Sequence, residues 1–274
     1  MDKFKFYNKV LGWTIFAIAL ATYTLTMEPT GSLWDCGEFL SGANKLQVVH
    51  PPGAPLFLMV GRLFMMFASP ENAAMMVNFM SALCTAFCSL FFFWSLTILM
   101  RNAVVKENEE MDTERSIAIL GSAFVAALGA TFLDSMWFSA VEGEVYALSV
   151  FFMTINIWAG LKWFEDRSET ADRWLIFIGL STGLSIGVHL LSLLVFPMIG
   201  IVYYFKNFKP SWKGVFIAFT ASVIGIFAIM KFIIYGIPQL MASTELMMVN
   251  SFGLPFNSGV LVGGIIVVGI FGYL

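Results

Sequence analysis

The chain has 274 residues, 59% of them hydrophobic and 12% charged, and a formal net charge of −3. Its mean hydropathy is +0.83. Roughly a quarter of an ordinary soluble domain is charged, so this composition excludes a soluble globular protein. No basic stripe interleaved with aromatics occurs, which sets nucleic-acid binding aside.

The N-terminal stretch MDKFKFYNKVLGWTIFAIALATYTLTM starts basic and turns apolar. The apolar run is long, so it reads as a retained first span rather than a signal peptide. Further apolar runs predict spans near 73–100, 116–133, 145–163, 174–188, 190–205 and 214–235, after a first at 10–27. An eighth begins near 259 and runs to Leu274, and the chain reads as one transmembrane domain, the N-terminal part of a longer protein. Cys84 and Cys88, four apart in an apolar run, read as small buried hydrophobes. With Cys36 alone on a polar segment, no metal-type or disulfide framework is evident.

Lysine and arginine collect in alternate loops. Lys3, Lys5 and Lys9 precede the first span, and Arg101, Lys106 and Arg115 mark a second basic loop. Lys162, Arg167 and Arg173 mark a third, and Lys206, Lys209 and Lys213 a fourth. Segments 134–144 and 236–258 carry none. The positive-inside rule then puts the N terminus in the cytoplasm, and KENEEMDTER (106–115) becomes a solvated cytoplasmic loop. Residues 174–205 must cross twice with about 15 residues each, short for a bilayer of about 30 Å. GLSTGLSIGVHLL (179–191) is expected to turn within the membrane against a water-filled cavity.

The first external loop, 28–72, is too long for a simple connector. Asp35 and Glu38 are three apart, on one face if WDCGEFLSGANKL is helical. Trp34 and Phe39 would anchor that helix in the interface. A Pro-rich break follows His50, and residues 55–68, carrying Arg62, read as a second interfacial helix. Asp35 is a candidate general base; its ordinary alternative is an N-cap or a solvated acid. His50 could hold a phosphate or a metal, or be a turn histidine in water. Glu142 and Glu144, with Tyr146, could bind a sugar, an acceptor or a cation; the alternative is an acidic loop, with Trp137 and Tyr146 as belt aromatics. His189 at the top of the short hairpin is a further candidate, or is bonded to a backbone carbonyl. Arg62 could pair a lipid phosphate or snorkel.

WDCGEF, HPPGAPLF, WFSAVEGEVYAL and GLSIGVHLL, in this order, resemble a large bacterial membrane family whose vertebrate relatives are described as protein O-mannosyltransferases. The wider likeness is to membrane glycosyltransferases of the C superfamily, and it spans Trp34 to about Pro197. The resemblance implies an all-α polytopic membrane protein, a GT-C-like helix bundle with a long helical first external loop. It implies inverting transfer from a polyprenyl-phosphate sugar to a hydroxyl of an exported protein, at the periplasmic face of a bacterial inner membrane. By it, Asp35 is the catalytic base, Glu38 its neighbour in the motif, and His50 a phosphate-side residue, with Arg62 beside the phosphate. O-mannosyltransferases place two acids adjacent, whereas Cys36 and Gly37 separate them here, which leaves either acid as the base. A divalent cation is open as a cofactor. A transporter or flippase is the rival class, disfavoured because the acids lie in external loops rather than mid-span.

Overall fold

The computed structural model describes residues 2–105, 109 and 111–273, all helices, turns and loops with no strand among them. Lys106, counted above among the cations of the second basic loop, and Leu274 lie outside them. Helices α1 (Asp2–Thr26), α2 (Cys36–Lys45), α3 (Pro55–Met65), α4 (Ala73–Val104), α5 (Thr113–Thr131) and α6 (Asp134–Val141) come first. α7 (Val145–Glu165), α8 (Arg173–Ile186), a 3-10 turn (Leu190–Val195) and α9 (Phe196–Asn207) complete a unit that extends over Met1–Asn207. Among the described residues five helical stretches are long and apolar enough to cross a membrane, six if α5 and α6, which meet at 60°, count as one broken span.

α4 is the axis of this unit, packed against α1, α3, α5, α6 and α7. It is apolar almost throughout, yet Asn78, Ser81, Thr85, Ser89, Ser95 and Thr97 are buried. The hydroxyls of Thr85, Ser89 and Ser95 donate to carbonyls four residues back, at 2.9, 3.3 and 2.7 Å. Small hydroxylated residues let helices approach closely where lipid offers no hydrophobic drive. The hydroxyl of the fully buried Tyr23 on α1 donates to the Thr131 carbonyl at 2.6 Å.

The short pair expected between residues 174 and 205 is present as α8, a break at 187–189, the 3-10 turn and α9. At about 1.5 Å per residue, the 14 residues of α8 cover about 21 Å, less than a bilayer's hydrocarbon core. Lys5, Arg101, Lys162 and Arg173, counted from separate loops, line one cavity of about 850 Å³. Arg101 pairs with Glu165, and Arg173 with Asp166 at 3.1 Å. Tyr146 and Lys162 stand near opposite ends of α7, about 24 Å apart by helical rise.

Two expectations are corrected. Phe39 is not an interfacial anchor: it is buried between Phe57 and His50, with ring centroids at 5.4 and 5.6 Å. α2 turns Cys36, Phe39, Leu40 and Ala43 inward toward α3 and α4, and Trp34 alone of the two aromatics is exposed. The span expected to stop at residue 235 instead continues as helix from Trp212 to Ser251. The Gly236–Ile237–Pro238 sequence looks like a breaker. A π-helical stretch, Ile229–Tyr235, precedes it, and this wider turn takes up the missing proline N–H.

In the second unit, Phe208–Leu274, α10 (Trp212–Ala228) leads through the π turn into α11 (Gly236–Leu246), and α12 (Ser258–Tyr273) packs on α11. The Glu245 carboxylate caps α12 by accepting from the backbone N–H of Asn257, Gly259 and Val260, at 2.6, 2.8 and 3.1 Å.

Candidate active site

Three segments far apart in sequence meet at the end of the first unit remote from the arginine-rich cavity. Trp34 turns the chain into α2 with φ 60°, a left-handed conformation that an aromatic residue rarely adopts. Asp35 therefore sits at the N-cap of α2, but its side chain makes no capping hydrogen bond. One turn on, Glu38 reaches across to the His50–Pro51–Pro52 turn. Its carboxylate accepts from the His50 backbone N–H at 2.6 Å and contacts the ring Nδ1 at 2.8 Å. That turn closes with Gly53 N–H donating to the His50 carbonyl at 2.9 Å, with Gly53 at φ 79°.

The break after α8 docks on the start of α3. Leu56 N–H donates to the Gly187 carbonyl at 2.7 Å, and a Cβ at Gly187 would lie 3.1 Å from that of Leu56. His189 follows on the cavity wall. The Glu142–Gly143–Glu144 segment is pressed in from the other side. A Cβ on Gly143 would lie 3.0 Å from Asn78 Oδ1 and 3.1 Å from Leu40 and Val77. The buried Asn78 amide donates to the carbonyls of Glu28 and Thr30 at 2.6 and 2.9 Å, so one residue of α4 braces both loops.

The result is a cavity of about 200 Å³ whose walls include Asp35, His50, Glu144, Tyr146 and His189. This is smaller than the roughly 300–1,000 Å³ of drug-sized sites. Tyr146 and His189 rings lie 5.4 Å apart. The hydrogen bond to Glu38 raises the His50 pKa above 6.5 and lowers that of Glu38 below 4.5. Burial raises Glu144, with Glu142 and Asp35 adding to it, and burial likewise raises Glu142. The Cys36 thiol is pushed up to about 11 by burial, too high for a nucleophile.

Of the residues singled out from sequence, Asp35, Glu38, His50, Glu144, Tyr146 and His189 come together. Two do not join them. Arg62 Nη1 donates to Asn44 Oδ1 at 2.9 Å, joining α3 to α2 away from the cavity wall, because the helix carries its side chain along α2. Glu142 is buried against Ser32 and Glu28 rather than on the wall. His189 does not donate to a carbonyl; its Nδ1 accepts from the Leu191 N–H. Trp137 donates to Thr26 Oγ1 at 3.0 Å, tying α6 to α1. Sequence reasoning missed Asn78, although an Asn inside an apolar run was the available signal. Ligand atoms of Asp35, Glu38 and His50 lie within 4.8 Å of one another, the spacing of a metal site. The Glu38 carboxylate is engaged there with the His50 backbone N–H and ring.

A helix bundle of this hydropathy, with a carboxylate–histidine cavity built from its loops, is an all-α polytopic integral membrane protein of the O-mannosyltransferase-like class. Residues 35–212 match the family described as the protein O-mannosyl-transferase TMEM260 N-terminal domain, and the chain belongs to that family. It is similar to the Dictyostelium discoideum protein O-mannosyl-transferase tmem260, at 24% identity over 162 residues, covering 58% of this chain and 18% of that one. It is also similar to mouse protein O-mannosyl-transferase TMEM260, at 24% over 159 residues, covering 58% and 20%. The chain thus matches about a fifth of the length of these curated relatives. No solved structure matches it.

Proposed function

We propose that the protein is an inverting glycosyltransferase that moves a sugar, mannose by its family, from a polyprenyl-phosphate donor to a Ser or Thr hydroxyl of an exported protein. The cavity then faces the periplasm and the N terminus the cytoplasm of a bacterial inner membrane, as the lysine and arginine distribution supports. The observation that carries the reading is Asp35: an N-cap acid whose carboxylate caps nothing and instead lines the cavity that His50 also lines.

In this reading the acceptor oxygen attacks the anomeric carbon as its proton passes to Asp35. The bond from that carbon to the phosphate oxygen breaks, and polyprenyl phosphate leaves with the electron pair and the negative charge. His50, held protonated by Glu38, faces that charge, and a fixed cation there lowers the barrier. Glu38 is then a positioning residue, and Arg62, engaged with Asn44, is outside the phosphate site. The Asp35 carboxylate and the Glu144 carboxyl group offer hydrogen bonds to sugar hydroxyls, and Tyr146 borders the same space. A divalent cation is not needed for any of these steps.

The direct test is transfer of mannose from a polyprenyl-phosphate donor by wild-type protein and Asp35→Asn in lipid nanodiscs. Loss of a general base lowers the rate by about 10²–10⁴-fold. Wild-type turnover in the variant, with normal expression, removes Asp35 from this role. A flippase would instead move a labelled lipid without forming a covalent product.

A further inference from the structure

The chain contains two histidines, and both line the cavity. Their hydrogen bonds are opposite in sense. His50 presents Nδ1 to the Glu38 carboxylate at 2.8 Å, so that nitrogen carries a proton. At His189 the Leu191 backbone N–H donates to Nδ1 at 3.1 Å, so Nδ1 offers a lone pair. A neutral ring in that state bears its proton on Nε2. Among the described residues no protein group bonds Nε2.

The ring is also held in place. The Ser192 hydroxyl donates to the His189 carbonyl at 3.1 Å and lies 2.7 Å from Ser185 Oγ, which donates to the Thr182 carbonyl at 2.7 Å. The His189 N–H donates to the Ser185 carbonyl at 3.0 Å, and the neighbouring Gly187 carbonyl is taken by Leu56. Tyr146 packs on the ring. Such second contacts on a histidine fix which nitrogen faces a ligand. The other side-chain donors on the wall are His50, Tyr146 and, in its protonated form, Glu144; Asp35 accepts.

A phosphate diester presents acceptors only, and a second imidazolium beside His50 would be repelled. We propose that His189 is a donor-substrate-binding residue, a neutral imidazole whose Nε2–H donates a hydrogen bond to a phosphate oxygen of the lipid-linked sugar. This rests on the glycosyl-transfer reading above and adds to it the second donor of the phosphate site. His189 keeps its proton throughout, so it stabilises the leaving phosphate without titrating.

The test is binding of citronellyl phosphate, which has the lipid and phosphate but no sugar, to the purified chain in nanodiscs, with methyl mannoside as the sugar-only probe. Loss of a hydrogen bond to a charged group weakens phosphate binding about 10- to 100-fold in His189→Phe, while His189→Gln, which keeps an N–H near the Nε2 position, stays within about threefold of wild type. Methyl mannoside binding is the same in all three. Equal citronellyl phosphate affinity in wild type and His189→Phe overturns the proposal, as does a loss confined to methyl mannoside. With ring-¹⁵N histidine, assigned by His189→Gln, the His189 signals at pH 7 show a bare Nδ1 and a protonated Nε2; a protonated Nδ1 overturns it equally. If wild-type protein binds no citronellyl phosphate while its ¹⁵N spectrum is as expected, the transfer reading itself fails and this assignment falls with it.

Discussion

The Glu38 carboxylate grips His50 at two points, accepting from the backbone N–H at 2.6 Å and meeting the ring Nδ1 at 2.8 Å. The grip links α2 to the turn twelve residues later. It also sets a pH window. Glu38 is lowered, so its share is present above about 4.5 and is lost as pH falls through its folded value. His50 is raised, so its share is complete below 6.5 and is lost as pH climbs through its folded value. The His50 ring, followed by NMR, is expected to titrate above 6.5 in wild type and to fall back toward 6.5 in Glu38→Gln. An unchanged midpoint in that variant would show that the contact does not hold the proton.

The two acids of the motif are expected to differ in kind. Asp35→Asn removes the proposed base and is expected to lower turnover about 10²–10⁴-fold at any donor concentration. Glu38→Gln leaves the base and loosens His50, so its loss is smaller, about tenfold, and appears mainly in KM for the donor. Steady-state kinetics of the pair separates them; equal loss of kcat in both variants would make the acids a single functional unit.

Glu142 and Glu144 are buried and raised. Folding therefore favours their protonated forms, and this contribution is complete below about 4.5 and lost as pH rises through the folded values. Glu142→Gln is expected to raise the thermal unfolding temperature at pH 7 and to change it little at pH 4. A wild-type melting temperature that rises steadily from pH 4 to pH 7 by way of these two groups would contradict this assignment.

Asn78 is predicted to be among the least replaceable residues of α4. Asn78→Leu removes a buried donor from the part-buried carbonyls of Glu28 and Thr30, which costs about 1–3 kcal/mol in all. Gly143→Ala pushes a methyl group against Asn78 Oδ1, Leu40 and Val77 and costs about 1–3 kcal/mol by overpacking. Detergent unfolding reads both. Limited proteolysis near Glu28 should become faster in Asn78→Leu, because the loop loses its tether.

Much of this was legible in the residues themselves. The apolar runs and the alternation of basic loops mark the helices of the first unit, since long hydrophobic stretches leave few alternatives. The motif residues from Asp35 to His189 were legible as candidates because polar groups in such a chain are few. What they do to one another was not. Glu38 and Asp35 look equivalent in WDCGEF; only the turn at Pro51 and Pro52 brings His50 back to one of them. Arg62 looked like a phosphate ligand because cations at a membrane surface often are, yet Asn44, eighteen residues earlier, takes it. Phe39 looked like a belt aromatic because burial depends on which face of α2 meets α3. The helix across Pro238 was hidden because a π turn leaves no periodic signature.

Asn78 lies fifty residues beyond the Glu28 carbonyl it holds, and the last wall of the cavity, His189, comes more than a hundred residues later still. During synthesis the first loop is therefore made before its brace exists, and both precede the segment after α8 that carries His189. The cavity is assembled late in biogenesis, and a chain stalled or truncated before His189 would hold α1 to α8 and lack one wall of the candidate site.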